Sequence, residues 1–328
     1  MKEILSYLFG YHQLSSSQAE EILMEIAEGK FTTSEIASFL TVFNMRNISI
    51  EELDGFRNAL LKMCIPVDLS DFNTIDLCGT GGDGKDTFNI STLTAFVVAG
   101  AGYKVAKHGN YGASSSCGSS NVMEYLGYQF HNNEKDLQRE LDKVGITFLH
   151  APLFNPAMKH VAPVRKALGL KTFFNMLGPL VNPSQPKNQM VGVFNLELAR
   201  MYQYLFQQSD KNYTIVHTLE GYDEISLTGP FKLIQNKKEQ IIEPTTLGFK
   251  KVMATELASS GDVKGTANIF LEVLKGEAPQ AKMEVVLCNA AFAIQTMDTG
   301  LSFEDALEKA KESLLGGKAL KVFKMLIA

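Results

Sequence analysis

Apolar residues recur at helical spacing through residues 1–65 of the chain. Ile4, Leu5, Leu8 and Phe9 make one stripe, Ile36, Phe39, Leu40 and Phe43 a second, and Leu53, Phe56 and Leu60 a third. Three capping boxes accompany them: Ser17 with Glu20, Thr32 with Glu35 and Ser49 with Glu52. In such pairs, side chains satisfy the unpaired amides of a helix start. These signals predict a small all-helical region whose stripes serve either for packing within the subunit or for a dimer surface. Pro66 and the polar Asp68–Asn73 segment read as a hinge.

From Asn73 the period changes. Short apolar runs at Ile75–Leu77, Lys104–Ala106, Ile146–Leu149, Met190–Phe194, Tyr213–Val216 and Phe231–Ile234 predict strands. Between them, helices are predicted from the Asn89–Thr92 opening through Thr94 to Ala101, and over Asn121–Leu126, His160–Leu168, Glu197–Gln207 and Val285–Met297. The first of these has Asn89 or Ser91 as its N-cap. Pro152, Pro156 and Pro163 punctuate one connection, and Lys309–Ile327 closes the chain as an amphipathic segment. Alternating strands and helices predict an α/β layer structure after the helical region.

Composition narrows the class without naming a chemistry. The 328 residues are 45% hydrophobic and 20% charged, ordinary for a globular protein with a sizeable core. Lysine plus arginine, 31, against aspartate plus glutamate, 36, gives a net charge of −5, which argues against duplex nucleic acid as the main partner. The four cysteines, Cys64, Cys78, Cys117 and Cys288, show no metal spacing and read as reduced thiols. Met1-Lys2-Glu3-Ile4 opens no leader pattern and no stretch approaches a membrane span, so the expectation is a cytoplasmic protein with no membrane partner.

The candidate chemistry is concentrated between Asp76 and Ser120. After the first predicted strand, Gly79, Gly81, Gly82 and Gly84 place four glycines in six residues, where a ligand can touch backbone amides. No Gly-Lys-Ser/Thr follows at Walker spacing, and the third glycine of a dinucleotide fingerprint is missing. The start of the next helix offers amides to an anion. Lys107-His108-Gly109-Asn110 follows the second strand. Two strand ends, two glycine-bearing loops, a lysine and a helix start can therefore converge on a phosphorylated ligand. Further on, Glu220-Gly221-Tyr222-Asp223-Glu224 sets two adjacent carboxylates behind a strand, either as ligands of a hard cation or as a solvated loop. Thr87, Ser91 and Thr92 read as phosphate contacts or as simple caps.

Taken together, Leu77-Cys78-Gly79-Thr80-Gly81-Gly82-Asp83 and Lys107-His108-Gly109-Asn110 carry a resemblance to the anthranilate phosphoribosyltransferase family, and it extends over nearly the whole chain. The resemblance implies transfer of the 5-phosphoribosyl group from phosphoribosyl pyrophosphate to the amine of anthranilate, a step of tryptophan biosynthesis. It implies an α/β fold in which a small helical domain, residues 1–70 with a returning segment about 165–185, joins a larger domain, 71–328, built on a mixed, mostly parallel sheet flanked by helices. It places the phosphoribosyl pyrophosphate site at Gly79, Gly82, Asp83, Thr87, Asn89, Ile90, Ser91, Thr92, Lys107 and Ser119. The loop His108, Gly109, Asn110, Tyr111, Gly112, Ala113, Ser114 and Ser115 completes that site. Anthranilate falls to Gly79, Asn110 and Arg165, the last reading the carboxylate through its guanidinium. His108 either lines the acceptor site or packs. Magnesium, two ions per monomer, falls to Ser91, Asp223 and Glu224. The aryl amine is unprotonated at neutral pH, so no residue is assigned as acid or base, and Lys107 stabilises charge. A homodimer through the helical domain is implied.

Three positions depart from the family pattern: Tyr111 for an arginine, Gly118-Ser119-Ser120-Asn121 for Gly-Ser-Ala-Asp, and Lys171-Thr172 for Arg-Thr. Two rival readings remain. Pyrimidine nucleoside phosphorylases carry Lys-His-Ser-Thr-Gly-Gly where this chain has Leu77-Cys78-Gly79-Thr80-Gly81-Gly82. Relatives that have lost the activity and bind nucleic acid would show a basic groove, against which the charge of −5 stands.

Overall fold

A computed structural model describes residues 1–112, 117–236 and 238–328. Helices α1 (Lys2–Phe9), α2 (Ser16–Ala27), α3 (Thr33–Met45) and α4 (Ile50–Met63) come first. Then follow β1 (Thr74–Gly79), α5 (Ile90–Gly100), β2 (Lys104–Gly109), α6 (Ser119–Tyr125), α7 (Glu134–Lys143) and β3 (Ile146–His150). The short α8 (Ala151–Phe154) and α9 (Ala162–Leu168) precede β4 (Asn188–Gly192), α10 (Leu196–Gln207), β5 (Asn212–Thr218), β6 (Phe231–Gln235) and β7 (Lys238–Ile242). Helices α11 (Val263–Lys275), α12 (Gln280–Met297), α13 (Phe303–Leu315) and α14 (Lys318–Leu326) complete the chain. They sort into two units, Met1–Val67 with Ala151–Pro183, and Asp68–His150 with Ser184–Ala328.

In the helical unit, the predicted stripes bury Ile36, Phe39, Leu40, Leu53, Phe56 and Leu60. Phe56 and Phe173 stack at 4.3 Å, and Phe39 and Phe43 meet them edge-on, so the returning segment supplies a ring to the core of the first helices. That segment enters at Ala151, earlier than the 165 read from the sequence. It is tied to the chain after α4 by Ile65 N–H to the Phe154 carbonyl, 2.8 Å. The capping boxes at Thr32–Glu35 and Ser49–Glu52 form as expected. The one at Ser17–Glu20 does not: α2 is capped by Ser15, which exchanges hydrogen bonds with Gln18. Leu14, 4% exposed, anchors the entry one residue before Ser15, and Glu20 is thereby free to pair with Lys62.

In the α/β unit the seven strands run in the order β3-β2-β1-β4-β5-β6-β7. Every pair from β3 to β5 is parallel, and β6 and β7 are antiparallel. Helix α5 is buried from Thr92 to Ala99, and α12 from Val285 to Ile294, which gives one continuous core against the sheet. β7 escaped the sequence reading because Lys-Glu-Gln-Ile-Ile is an edge strand with polar side chains facing water. The closing segment is two helices rather than one, because Gly317 turns left-handed (φ 72°) between α13 and α14. Among the described residues no helix is long and apolar enough to cross a membrane.

Candidate active site

The chain order reverses between β1 and β4, which lie side by side, and open parallel sheets bind ligands outside the carboxyl ends of their strands at such a point. Both strands end there in glycine, Gly79 opposite Gly192. A Cβ on Gly79 would run into the Asp223 carboxylate, and one on Gly192 into the Asp223 carbonyl. The two glycines thus let the loop after β5 lie directly over the strand ends.

That loop brings in the acidic pair. Asp223 Oδ2 accepts the Gly81 amide at 2.6 Å, and Glu224 Oε1 accepts the Ser91 amide at 3.2 Å. Glu224 therefore does what Asn89 or Ser91 was expected to do for α5: Asn89 occupies the N-cap position, yet its side chain donates instead to the Cys117 carbonyl, 3.2 Å. Asn289 of the buried α12 braces the loop by bonding both the amide and the carbonyl of Ile225, at 3.3 and 2.8 Å. Burial, followed by the neighbouring Asp83 and Glu224 charges, holds the Asp223 carboxyl well above the ordinary carboxylate range. Burial likewise pushes Glu224 up to about 7, against the opposing pull of Lys107. Two carboxylates crowded in this way favour a cation.

Lys107 lies inside β2, which continues to Gly109 rather than ending at Ala106, and is 2% exposed. Its ammonium donates to the Leu77 carbonyl and lies 3.5 Å from Ser91 Oγ. A lysine is seldom this buried without a partner for its charge. His108, also buried, gives its amide to Asp76 Oδ1 at 3.0 Å. After β1, Gly81, Gly82 and Gly84 adopt positive φ, and Asp83 accepts the Lys85 amide at 3.0 Å. Thr87 bridges to Ala258, while Ile90 and Thr92 are buried in the first turn of α5.

The loop after β2 is held from α6. Asn121 Oδ1 accepts the amides of both Gly112 and Gly118, at 2.9 and 3.0 Å, so an amide in place of the pattern's carboxylate keeps the acceptor. Ser119 Oγ and the Ser120 amide both bond the Asn110 carbonyl. Tyr111, where an arginine was the pattern, sets its ring edge-on to His150 at 4.8 Å and its hydroxyl 3.4 Å from Glu124. Ala113, Ser114 and Ser115 lie outside the described residues.

Arg165 belongs to the helical unit, whereas Gly79 and Asn110 belong to the α/β unit. Its guanidinium sits over the Phe174 ring at 5.2 Å and donates to Asn175 Oδ1 at 3.3 Å, while the buried Nε finds no partner among the described residues. Burial draws its pKa down. Sequence reasoning missed Asp76 and Gly192. The signal for Asp76 was legible, since a carboxylate sat within an apolar strand; Gly192 shows its meaning only once β4 lies beside β1.

A family model described as the helical bundle domain of a glycosyl transferase family matches residues 2–64, and the a/b domain of the same family matches residues 71–320. Fold and site thus define a glycosyl transferase. Anthranilate phosphoribosyltransferases from Christiangramia forsetii and Flavobacterium psychrophilum are 56% and 57% identical to the chain, each over 99% of it and 98% of the relative. The crystal structure of anthranilate phosphoribosyltransferase from Thermus thermophilus superposes with a TM-score of 0.90 at 29% identity, covering 98% of both chains. The Saccharomyces cerevisiae enzyme in complex with PRPP and Mg gives 0.90 at 30% identity, covering 98% of this chain and 95% of that one. The chain belongs to the anthranilate phosphoribosyltransferase family.

Proposed function

We propose that the chain transfers the 5-phosphoribosyl group from phosphoribosyl pyrophosphate to the amine of anthranilate, giving N-(5-phosphoribosyl)anthranilate and pyrophosphate for tryptophan biosynthesis. The observation that carries this reading is the convergence of the Gly79–Gly84 loop, the start of α5, buried Lys107 and the Asp223–Glu224 pair on the ends of β1 and β4. The relative from Saccharomyces cerevisiae, whose structure holds PRPP and Mg, supports it.

The donor's phosphates take the amides of Gly79, Gly82 and Asp83, the Thr87 hydroxyl, the Asn89–Thr92 turn and the loop from Lys107 through Ser115, with Ser119 closing it. Lys107 carries charge stabilisation. Arg165 offers its Nε–H to the anthranilate carboxylate; Asn110 and Gly79 are the anthranilate residues of the α/β unit. The nitrogen lone pair forms the bond to ribose C1 as the C1–pyrophosphate bond breaks with inversion, and the amine then sheds its proton. No protein base is required, and positioning plus electrostatics supply the rate.

The donor set fits magnesium. Ser91, Asp223 and Glu224 offer hard oxygens, and among the described residues no group of three or more acidic, His or Cys side chains forms a closed cage. Magnesium takes a few carboxylates and completes its shell with water and phosphate oxygens. Magnesium, two ions per chain, would be held by Ser91, Asp223 and Glu224 and would supply charge neutralisation for the pyrophosphate. The enzyme works in the cytoplasm as a homodimer joined through the helical unit. The test is loss of anthranilate fluorescence with phosphoribosyl pyrophosphate, matched to pyrophosphate release. Magnesium-dependent turnover is expected. No turnover, with salt-sensitive nucleic-acid binding instead, would refute the reading.

A further inference from the structure

The ladder between β1 and β2 stops early. Its register runs only over Thr74↔Lys104 and Ile75↔Val105. Beyond that point each strand keeps its other neighbour: β1 stays on β4 to Gly79↔Gly192, and β2 stays on β3 to Gly109↔His150. So the backbone ladder lapses over the carboxyl-terminal halves of the two central strands, which remain side by side, and two side chains make the connection there. Asp76 Oδ1 takes the His108 amide at 3.0 Å, replacing a ladder acceptor. Lys107 reaches back to the Leu77 carbonyl and towards Ser91 at the start of α5. Asp76 is 0% exposed, and its other oxygen receives the Cys78 thiol at 3.8 Å. A carboxylate in a strand interior is costly to bury, and here it serves no surface, cap or ion pair among the described contacts.

We propose that Asp76 is a positioning residue for the transfer reaction: by accepting the His108 amide it holds the β2 backbone that carries Lys107, and so aims the ammonium at the donor's phosphates. The carboxylate does not meet substrate. It sets the backbone immediately after Lys107, and with it the direction in which that side chain leaves the sheet towards Ser91. The essential property is a hydrogen-bond acceptor at Oδ1, not the negative charge, because the partner is a neutral amide. The inference rests on the donor assignment made above.

The experiment is steady-state kinetics with both substrates varied, on the wild-type chain, Asp76→Asn and Asp76→Ala, alongside thermal melting. Failure of the wild type to consume anthranilate would sink the functional reading itself, whereas the pattern among active variants judges Asp76. Asp76→Ala is expected to raise the KM for phosphoribosyl pyrophosphate by about tenfold or more, the scale of one lost buried acceptor, with the anthranilate KM little changed. Asp76→Asn keeps an oxygen in the same place and is expected to stay within about threefold of wild type. Equal change in both KM values, a fall in kcat and melting temperature alone, or an asparagine variant as impaired as alanine would each overturn the proposal. If Asp76→Ala does not fold, Asp76→Glu moves the acceptor by one methylene and is expected to show the same donor-specific KM rise. Failure of both to fold would make Asp76 purely structural, and that too overturns it.

Discussion

Glu224 should make magnesium affinity strongly pH-dependent. Its carboxyl is pushed up to about 7 by burial, and a metal takes the ionised form. Between about pH 6 and about pH 8 the ionised share of such a group rises from roughly a tenth to roughly nine-tenths, which is about a tenfold gain in magnesium affinity. Asp223, raised by its own burial and by Asp83 and Glu224, steepens the same trend. The sign for stability follows from the same shift. Glu224 moves from an ordinary 4.5 to about 7 on folding, so the folded chain holds an extra proton between those values. That stabilising contribution is full below the lower value and lost as pH rises through the upper one. Magnesium should therefore raise the melting temperature more at pH 8 than at pH 6. Titration calorimetry in two buffers of different ionisation enthalpy reads both the affinity and the protons released. Equal affinity at the two pH values, with no proton release, would refute the reasoning.

Two further outcomes are expected. Arg165→Ala removes a half-buried guanidinium with an unpartnered Nε, and should raise the anthranilate KM by about 30-fold or more while the donor KM moves far less; initial rates with each substrate varied decide it, and equal effects on both would defeat the assignment. Glu52 is 0% exposed and accepts the Leu14 and Ser49 amides, each at 2.9 Å, together with both terminal nitrogens of Arg46. Glu52→Ala strands that arginine and two amides, so urea unfolding should show a loss of about 3–5 kcal/mol, and a loss under about 1 kcal/mol would contradict the hub.

Much of this protein was legible because its signals are local. The apolar stripes of α3 and α4, the capping boxes at Thr32 and Ser49, and the glycine run after β1 depend on spacings of a few residues, and each appears where the chemistry of a helix or turn requires it. Where local signals competed or faded, the reading slipped. Three consecutive serines offered three starts for α2, and buried Leu14 chose among them. The edge strand β7 has no apolar alternation to announce it.

The sequence alone determined most of the elements, the phosphate-suited glycine loop and the presence of an acidic pair. Only the tertiary structure decided which of these meet. Asp223 reaches Gly81 across 142 residues and Glu224 reaches Ser91 across 133, because β4 is inserted beside β1 and carries the β5 loop over both strand ends. The cap of α5 comes from that distant loop and not from its own flank. The lapse of the β1–β2 ladder beside Asp76 is likewise a property of the closed sheet, where each strand keeps its register with its other neighbour. Periodicity is set by a residue's immediate neighbours along the chain, but strand order and carboxylate crowding arise only when the whole sheet has closed its core.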